Sequence, residues 1–262
     1  MNDRDPAALL AFAHGLLDET DVLLERYFAA EVEATEKADR TLVTAADTEV
    51  ESRLRSRLAE AFGGHGFLGE EYGAEQGRGE ACWIIDPLDG THNFVRGIPI
   101  FATLLALERD GEVVLGVASA PALRSRWWAA AGSGAKARSH GRVREISVSS
   151  IGRLEQAQLC YSSLRSLDRG GLLDAWRGAV GAAWRDRGFG DFWGHLLVAQ
   201  GSAEAMLERD LKPWDVAAPA AIVREAGGRV TDLDGRPTWL GPDVLTSNGL
   251  LHDQLLAMWP AG

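Results

Sequence analysis

The stretch Trp83–Phe94, WIIDPLDGTHNF, decides how the rest of the chain is read. Trp83, Ile84 and Ile85 form an apolar run of the kind that enters a buried strand. Two carboxylates, Asp86 and Asp89, follow at once on either side of Pro87-Leu88. Acids near the end of a buried strand repel each other unless positive charge lies between them. Two readings of DPLDGT are open on this stretch alone. In one, Pro87 fixes φ and ends the strand, and Asp89-Gly90 turns the chain. In the other, the Asp86 and Asp89 oxygens converge on a hard divalent cation, while Gly90 and Thr91 offer backbone N–H groups to an anion. Mg²⁺ held by carboxylates and phosphate oxygens fits the second.

Two other segments favour the second reading. Gly69-Glu70-Glu71-Tyr72-Gly73 places adjacent acids directly after a short apolar run, and Lys212–Ala218 places Asp215 at the start of an alanine-rich helix. Taken singly, Glu70-Glu71 also fits a solvated turn and Asp215 a helix N-cap. Pro219 is expected to pin that helix start close to Asp215, because proline is tolerated near a first turn and not deep inside a helix.

Composition limits the partners. The chain has 262 residues, enough for one large domain or two lobes with a sizeable core, and 46% of them are hydrophobic. A formal net charge of −11 makes duplex nucleic acid a poor partner and leaves a cationic ligand acceptable. The six histidines show no metal-ligand spacing and Cys82 and Cys160 form no CxxC, which disfavours zinc. The acidic N-terminal flank and the lack of any apolar run of about 18 residues predict a cytoplasmic protein with no membrane segment.

Along the chain, the spacing predicts helices over Pro6–Ala30 and Thr48–Phe62, with Lys37, Asp39, Arg40 and Thr41 in a polar loop between them. CWIID, FATLLALE and EVVLGVASA read as strands, the last two joined by a hairpin at Asp110-Gly111, and SRWWAA and RVREISVS follow as further strands. AQLCYSS reads as a strand, and Leu172–Val180, Phe192–Leu207 and Val216–Glu225 as helices. The pattern predicts an α+β lobe, 1–140, followed by an α/β lobe, 141–262, with the boundary in the polar segment 134–141. Trp127-Trp128 reads as core and interface packing and not as a base-stacking platform.

The motifs together resemble the inositol monophosphatase superfamily of magnesium-dependent, lithium-sensitive phosphomonoesterases. The resemblance rests on VTAADTEVE (Val43–Glu51), GEE (Gly69–Glu71), WIIDPLDGTHNFVRGIPIFATLLAL (Trp83–Leu107) and WDVAAPAAIVREAGG (Trp214–Gly228). It implies a layered αβαβα fold of two lobes. It also implies metal ligands at the side chains of Glu70, Asp86, Asp89 and Asp215 and the backbone carbonyl of Leu88, with the phosphate on the amides of Gly90 and Thr91. Two or three Mg²⁺ ions are implied, with Mn²⁺ as a substitute and Li⁺ as an inhibitor. The nucleophile is then a water activated by one metal with help from Glu70 and from a Thr91 hydroxyl held by Asp47, while a second metal stabilises the leaving oxygen. Lys37 matches a lysine on a mobile lid, and also fits a solvated lysine. A homodimer is implied as well. The haloacid-dehalogenase motif DxDGT is excluded, because here the two aspartates are three residues apart and an i, i+2 pair on a strand has a different geometry.

Within the superfamily, Leu115–Leu123 followed by Arg126-Trp127-Trp128-Ala129, and Asn93–Pro99, look like the histidinol-phosphate phosphatase branch. So does Arg185–Phe192, with Asp191 where inositol phosphatases carry a small or hydroxyl residue. Histidinol phosphate ends in an amine and an imidazole, and a carboxylate from Asp191 or Glu208 can bind that cationic end. Asp191 also fits a helix N-cap at the Gly190 break. His92 stands where this branch often has lysine; its imidazole fits either the site lining or plain exposure, and exposure is expected. The expected substrate is therefore a small phosphate monoester, L-histidinol phosphate, in histidine biosynthesis. Inositol 1-phosphate or a phosphoadenosine phosphate is the alternative within this chemistry, and a catalytically silent phosphate-binding scaffold the alternative outside it.

Overall fold

The structure, a computed structural model, describes residues 5–30, 34–36 and 42–259. The loop expected at Lys37, Asp39, Arg40 and Thr41 lies outside the described residues. Helix α1 (Pro6–Ala29) starts where the Asp5 carboxylate accepts the Ala7 N–H, with Pro6 in the first turn. Strands β1 (Ala34–Glu36) and β2 (Leu42–Thr44) pair antiparallel before α2 (Ala45–Ala61). Thr44 and Asp47 close a reciprocal capping box at the α2 start, three residues earlier than the helix read from the sequence.

The first sheet is built from β3 (Gly66–Gly69), β4 (Gly73–Glu75), β5 (Ala81–Asp89), β6 (Ala102–Arg109), β7 (Glu112–Ala120), β8 (Ser125–Ala130), β9 (Ala135–Ser139) and β10 (Arg142–Ile146). Their order is β10-β9-β8-β7-β6-β5-β3-β4, antiparallel except for the β3–β5 pair. The expected hairpin is present: Asp110 and Gly111 both have positive φ, as a two-residue turn between twisted strands requires. A short helix α3 (Thr91–Val95) follows β5. The boundary expected near residue 140 falls in the turn between β9 and β10, and the segment 134–141, read as a polar connection, supplies β9.

The second sheet contains β11 (Gln158–Tyr161), β12 (Arg185–Arg187), β13 (Ala205–Glu208), β14 (Arg229–Thr231) and β15 (Val244–Ser247), ordered β12-β11-β13-β15-β14. Helices α4 (Leu164–Arg169), α5 (Leu173–Ala182) and α8 (His252–Leu256) belong to this half, as do α6 (Asp191–Ala199) and α7 (Pro213–Glu225).

The burial pattern yields five layers. Leu9, Leu17, Val50 and Leu54 of α1 and α2 share a core with Trp83, Ile85, Leu105 and Val117 on one face of the first sheet. The alternate residues Ile84, Leu104, Ala106 and Ala118 face Phe192 and Leu196 of α6 and Val216 and Ile222 of α7. Residues of α6 then meet Cys160 and Met206 on the second sheet, whose other face packs Leu159, Leu207 and Leu245 against Trp176 of α5 and Leu255 of α8. This is the expected layered αβαβα order. Arg126, fully buried, ties β8 to α1 by donating to Asp21 Oδ2 at 2.7 Å, Ser119 Oγ at 2.8 Å and the His14 carbonyl at 3.0 Å.

Three local expectations are corrected. The strand does not end at Pro87; β5 runs on to Asp89 through a bulge, because Pro87-Leu88 is accommodated as an irregularity against β6. The helix expected over Phe192–Leu207 stops at Ala199, where Gly201 takes a left-handed conformation, and Ala205–Glu208 is strand β13. Small apolar residues such as Ala203, Ala205 and Met206 fit either period, so the pattern alone did not separate the two. Pro219 does not lie in a first turn: α7 starts at Pro213, and Pro219 stands in its interior with the Asp215 carbonyl deprived of its helical donor.

Gly116 of β7 marks where α7 sits on the sheet. A Cβ at Gly116 would lie 2.5 Å from the Ala218 carbonyl oxygen and 3.0 Å from Ala221 Cβ. Gly116→Ala is expected to cost about 1–3 kcal/mol of stability by overpacking, measured by urea denaturation. An unchanged midpoint would mean that α7 does not seat against β7 this closely.

Candidate active site

The bulge answers the question that WIIDPLDG raises. Side chains three apart on a regular strand point to opposite faces. Here Asp86 pairs with Leu104 and Asp89 with Ala102, so β5 spends three steps where β6 spends two. The extra residue turns Asp86 and Asp89 to the same side. The bulge is pinned by the Thr103 hydroxyl donating to the Pro87 carbonyl at 2.9 Å and by the Leu88 N–H donating to Asp86 Oδ1 at 3.0 Å.

Asp215 arrives from the middle layer. It is the third residue of α7, not the N-cap, and its Oδ2 accepts the Lys212 N–H at 2.7 Å. Asp86, Asp89 and Asp215 each present an oxygen, all within 4.8 Å of one another. Burial, and then the neighbouring Glu70, Asp89 and Asp215, hold the Asp86 carboxyl well above the usual carboxylate range. Burial and the nearby Asp191 and Asp215 do the same for Asp89. Burial pushes Asp215 up to about 6. Carboxyl groups this close repel one another unless a proton lies between them. Deprotonated, the three need a cation in its place. The donor set is all oxygen, with no histidine or cysteine, so it suits a hard divalent ion such as Mg²⁺.

Glu70 follows β3 beside this cluster. The fully buried Glu51 of α2 shapes its turn, accepting the Glu71 N–H at 2.7 Å and the Tyr72 N–H at 3.3 Å. Gly90 has φ +85, and a Cβ there would lie 2.8 Å from the Ile100 carbonyl, so glycine is needed where the chain turns from β5 into α3. Thr91 Oγ lies 2.9 Å from the Leu88 carbonyl and 3.3 Å from Asp47 Oδ1. The other Asp47 oxygen accepts both the N–H and the hydroxyl of Thr44. Burial raises Asp47 above the ordinary carboxylate value.

A second pair of acids lies in the same cavity. Asp191, the first residue of α6, has φ +57, and Asn93 donates to its carboxylate at 3.1 Å. The N-cap position belongs to Gly190, so the alternative in which Asp191 caps this helix is overturned. Instead Asp89 reaches across from the first sheet and accepts the Phe192 N–H at 2.6 Å. Burial, then Glu208, pushes Asp191 up to about 7. Glu208, at the end of β13, accepts the Asp191 N–H at 3.2 Å through Oε1 and contacts His195 Nε2 at 3.0 Å through Oε2.

All the expected site residues except Asp47 line one cavity of about 400 Å³. His92 is exposed, as expected, and stands on its wall. Lys37 lies outside the described residues. Arg126, Trp127 and Trp128, singled out in the sequence, do not line the cavity and serve packing, with Trp127 edge-on to Phe192. Reading the sequence missed His195, Thr44 and Glu51. A signal existed for His195, because it stands four positions after Asp191, a spacing that places both on one helix face.

Among the described residues, no helix is long and apolar enough to cross a membrane. The model of the inositol monophosphatase family matches residues 5–259. The chain is 45% identical to the histidinol-phosphatase of Mycobacterium tuberculosis, over 97% of this chain and 98% of that protein. It is 42% identical to the histidinol-phosphatase of Streptomyces coelicolor, over 94% and 95% of the two chains. Among solved structures, extragenic suppressor protein suhB from Bartonella henselae superposes with a TM-score of 0.88 at 30% identity, covering 96% of this chain and 98% of that one. With its acidic cavity formed where this fold brings the DPLDGT bulge and the α7 aspartate together, the chain belongs to the inositol monophosphatase family and is a phosphatase.

Proposed function

We propose that this phosphatase is magnesium-dependent and hydrolyses L-histidinol phosphate to L-histidinol and phosphate, a step of histidine biosynthesis. The observation that carries the substrate reading is the second acid pair, Asp191 and Glu208, in the same cavity as the three-aspartate cluster. A polyol ester has only hydroxyls to offer such a pair, whereas an amine and an imidazole gain charge-assisted hydrogen bonds. The names carried by the two most similar relatives described above support the same substrate.

In this reading Glu70, Asp86, Asp89, Asp215 and the Leu88 carbonyl hold two or three divalent ions, Mg²⁺ or Mn²⁺. The Leu88 oxygen keeps a second lone pair beside the one that accepts the Thr91 hydroxyl. Bound ions supply Lewis acidity towards the phosphate oxygens and lower the pKa of water. The chain's own part is to orient and to move protons. The Gly90 and Thr91 amides receive the phosphate. As the Thr91 hydroxyl turns from the Leu88 carbonyl to Asp47 Oδ1, its oxygen accepts a hydrogen bond from the attacking water and its proton passes to that carboxylate, which burial has made more basic. Glu70 orients the same water from the other side. The water oxygen bonds to phosphorus as the ester P–O bond breaks, and the leaving alcohol oxygen takes a proton from solvent water. We further propose that the two sheets form two lobes meeting at this cavity, and that the enzyme works in the cytoplasm as a homodimer.

Phosphate release from L-histidinol phosphate, inositol 1-phosphate and a phosphoadenosine phosphate, each with and without Mg²⁺, tests the substrate. Turnover should depend on Mg²⁺ and favour histidinol phosphate; equal or better turnover of inositol phosphate would remove the substrate reading. Asp89→Asn should lower kcat by about a thousandfold while the thermal melt stays close to wild type, since an amide oxygen can still accept the Phe192 N–H.

The raised carboxyls also set a pH dependence. With folded-state values of about 6 for Asp215 and about 7 for Asp191, the ion-free fold binds more protons than the unfolded chain above the ordinary aspartate range. Their contribution to stability is therefore lost as pH rises to about 7. Mg²⁺ competes with those protons, so its stabilisation should grow as pH rises from about 5 to 7.5. His14 and His252, both pushed down to about 4 by burial, act in the opposite sense but cancel when melting temperatures with Mg²⁺ and with EDTA are subtracted. A difference that does not grow with pH would contradict ion binding at these acids.

A further inference from the structure

His195 takes no part in the proposed chemistry, yet it is a buried imidazole with a defined partner on each nitrogen. Nε2 lies 3.0 Å from Glu208 Oε2 and Nδ1 lies 2.8 Å from Thr246 Oγ. His195 and Thr246 are shielded from solvent by the contact of α6 with the second sheet, and Glu208, though largely buried, faces the cavity. The direction of the chain of hydrogen bonds follows from its ends. An ionised Glu208 can only accept, so Nε2 carries the proton, and a neutral ring then leaves Nδ1 to accept from the Thr246 hydroxyl. Thr246 is held in place by β15, where it pairs with Met206 of β13, two residues before Glu208. Register between the two strands thus carries both ends of the chain.

Among the described residues, each Glu208 oxygen has one protein donor, the Asp191 N–H on Oε1 and His195 on Oε2. A carboxylate oxygen has two lone pairs, so one on each remains for a ligand in the cavity. A glutamate without the imidazole would rotate about its side-chain torsions and place those lone pairs poorly. We propose that His195, oriented by Thr246, is a positioning residue that holds Glu208 as a preoriented anion, and thereby sets the preference of the enzyme for phosphate esters with a cationic organic part. The inference rests on the role proposed above for Glu208.

The test is steady-state kinetics of the Mg²⁺-loaded enzyme on L-histidinol phosphate and inositol 1-phosphate. For His195→Leu, KM for the cationic ester should rise about tenfold with kcat within about threefold, so that the ratio of kcat/KM between the two esters falls about tenfold. His195→Gln places an amide N–H near the position of Nε2 and should return the ratio to within about threefold of wild type. Thr246→Val, which removes the donor to Nδ1, should lower the ratio at least about threefold, and it carries the test together with His195→Gln should His195→Leu fail to fold. The inference is overturned if His195→Leu and Thr246→Val lower both esters alike or leave the ratio unchanged. A wild-type enzyme that prefers the neutral ester overturns the substrate reading and this inference together, whereas a cationic preference that survives His195→Leu overturns the inference alone.

Discussion

Mutual repulsion among buried carboxylates is the constraint on which this structure turns. Asp86, Asp89, Asp191 and Asp215 all lie where burial and the charge of neighbouring carboxylates raise their proton affinity. A fold that served stability alone would scatter such groups or pair them with arginine. This one instead places its buried arginine, Arg126, between α1 and β8 with Asp21, well away from the cavity, and leaves the acids to face one another. The arrangement is costly without counter-ions and useful with them, which is the usual signature of a site and not of a scaffold.

The middle layer is what brings the acids together. Helices α6 and α7 lie between the two sheets, and their first turns converge on the end of β5. Asp89 illustrates the coupling, since one oxygen accepts the Phe192 N–H at the α6 start while the group also belongs to the aspartate cluster. Close packing of α7 on β7, made possible by Gly116 and by the run Ala217-Ala218, determines how far Asp215 reaches. The interior Pro219 leaves the Asp215 carbonyl without its helical donor, a local cost accepted at the same residue that supplies the carboxylate.

The second acid pair differs from the first in how it is supported. Asp86, Asp89 and Asp215 are held mostly by backbone N–H groups. Glu208 has in addition a side chain behind it, His195, which is itself fixed by Thr246. Backbone donors suit groups that must hold position while their charge is balanced by ions. In the proposed function, a buried imidazole suits a carboxylate that stays oriented towards the organic part of the substrate.

Much of this was legible in the sequence, and the limits are physical. The layered αβαβα fold, and Glu70, Asp86, Asp89, Thr91 and Asp215 as a group that now lines one cavity, followed from motifs in which several chemically unusual residues stand at fixed short spacing. The Asp110-Gly111 turn was legible because its φ values admit few residues. The end of α6 was not, because alanine and methionine satisfy helix and strand alike and only pairing with β11 and β15 chose the strand. The bulge at Pro87-Leu88, the support of Glu208 by His195 and Thr246, and the capping of α6 by Asp89 join residues 13 to 103 positions apart or depend on register against another strand. Local sequence determines which groups are available and which backbone conformations they permit. Tertiary structure alone decided which groups meet, because a side chain's partners across a sheet or between layers are set by packing and register that no single segment contains.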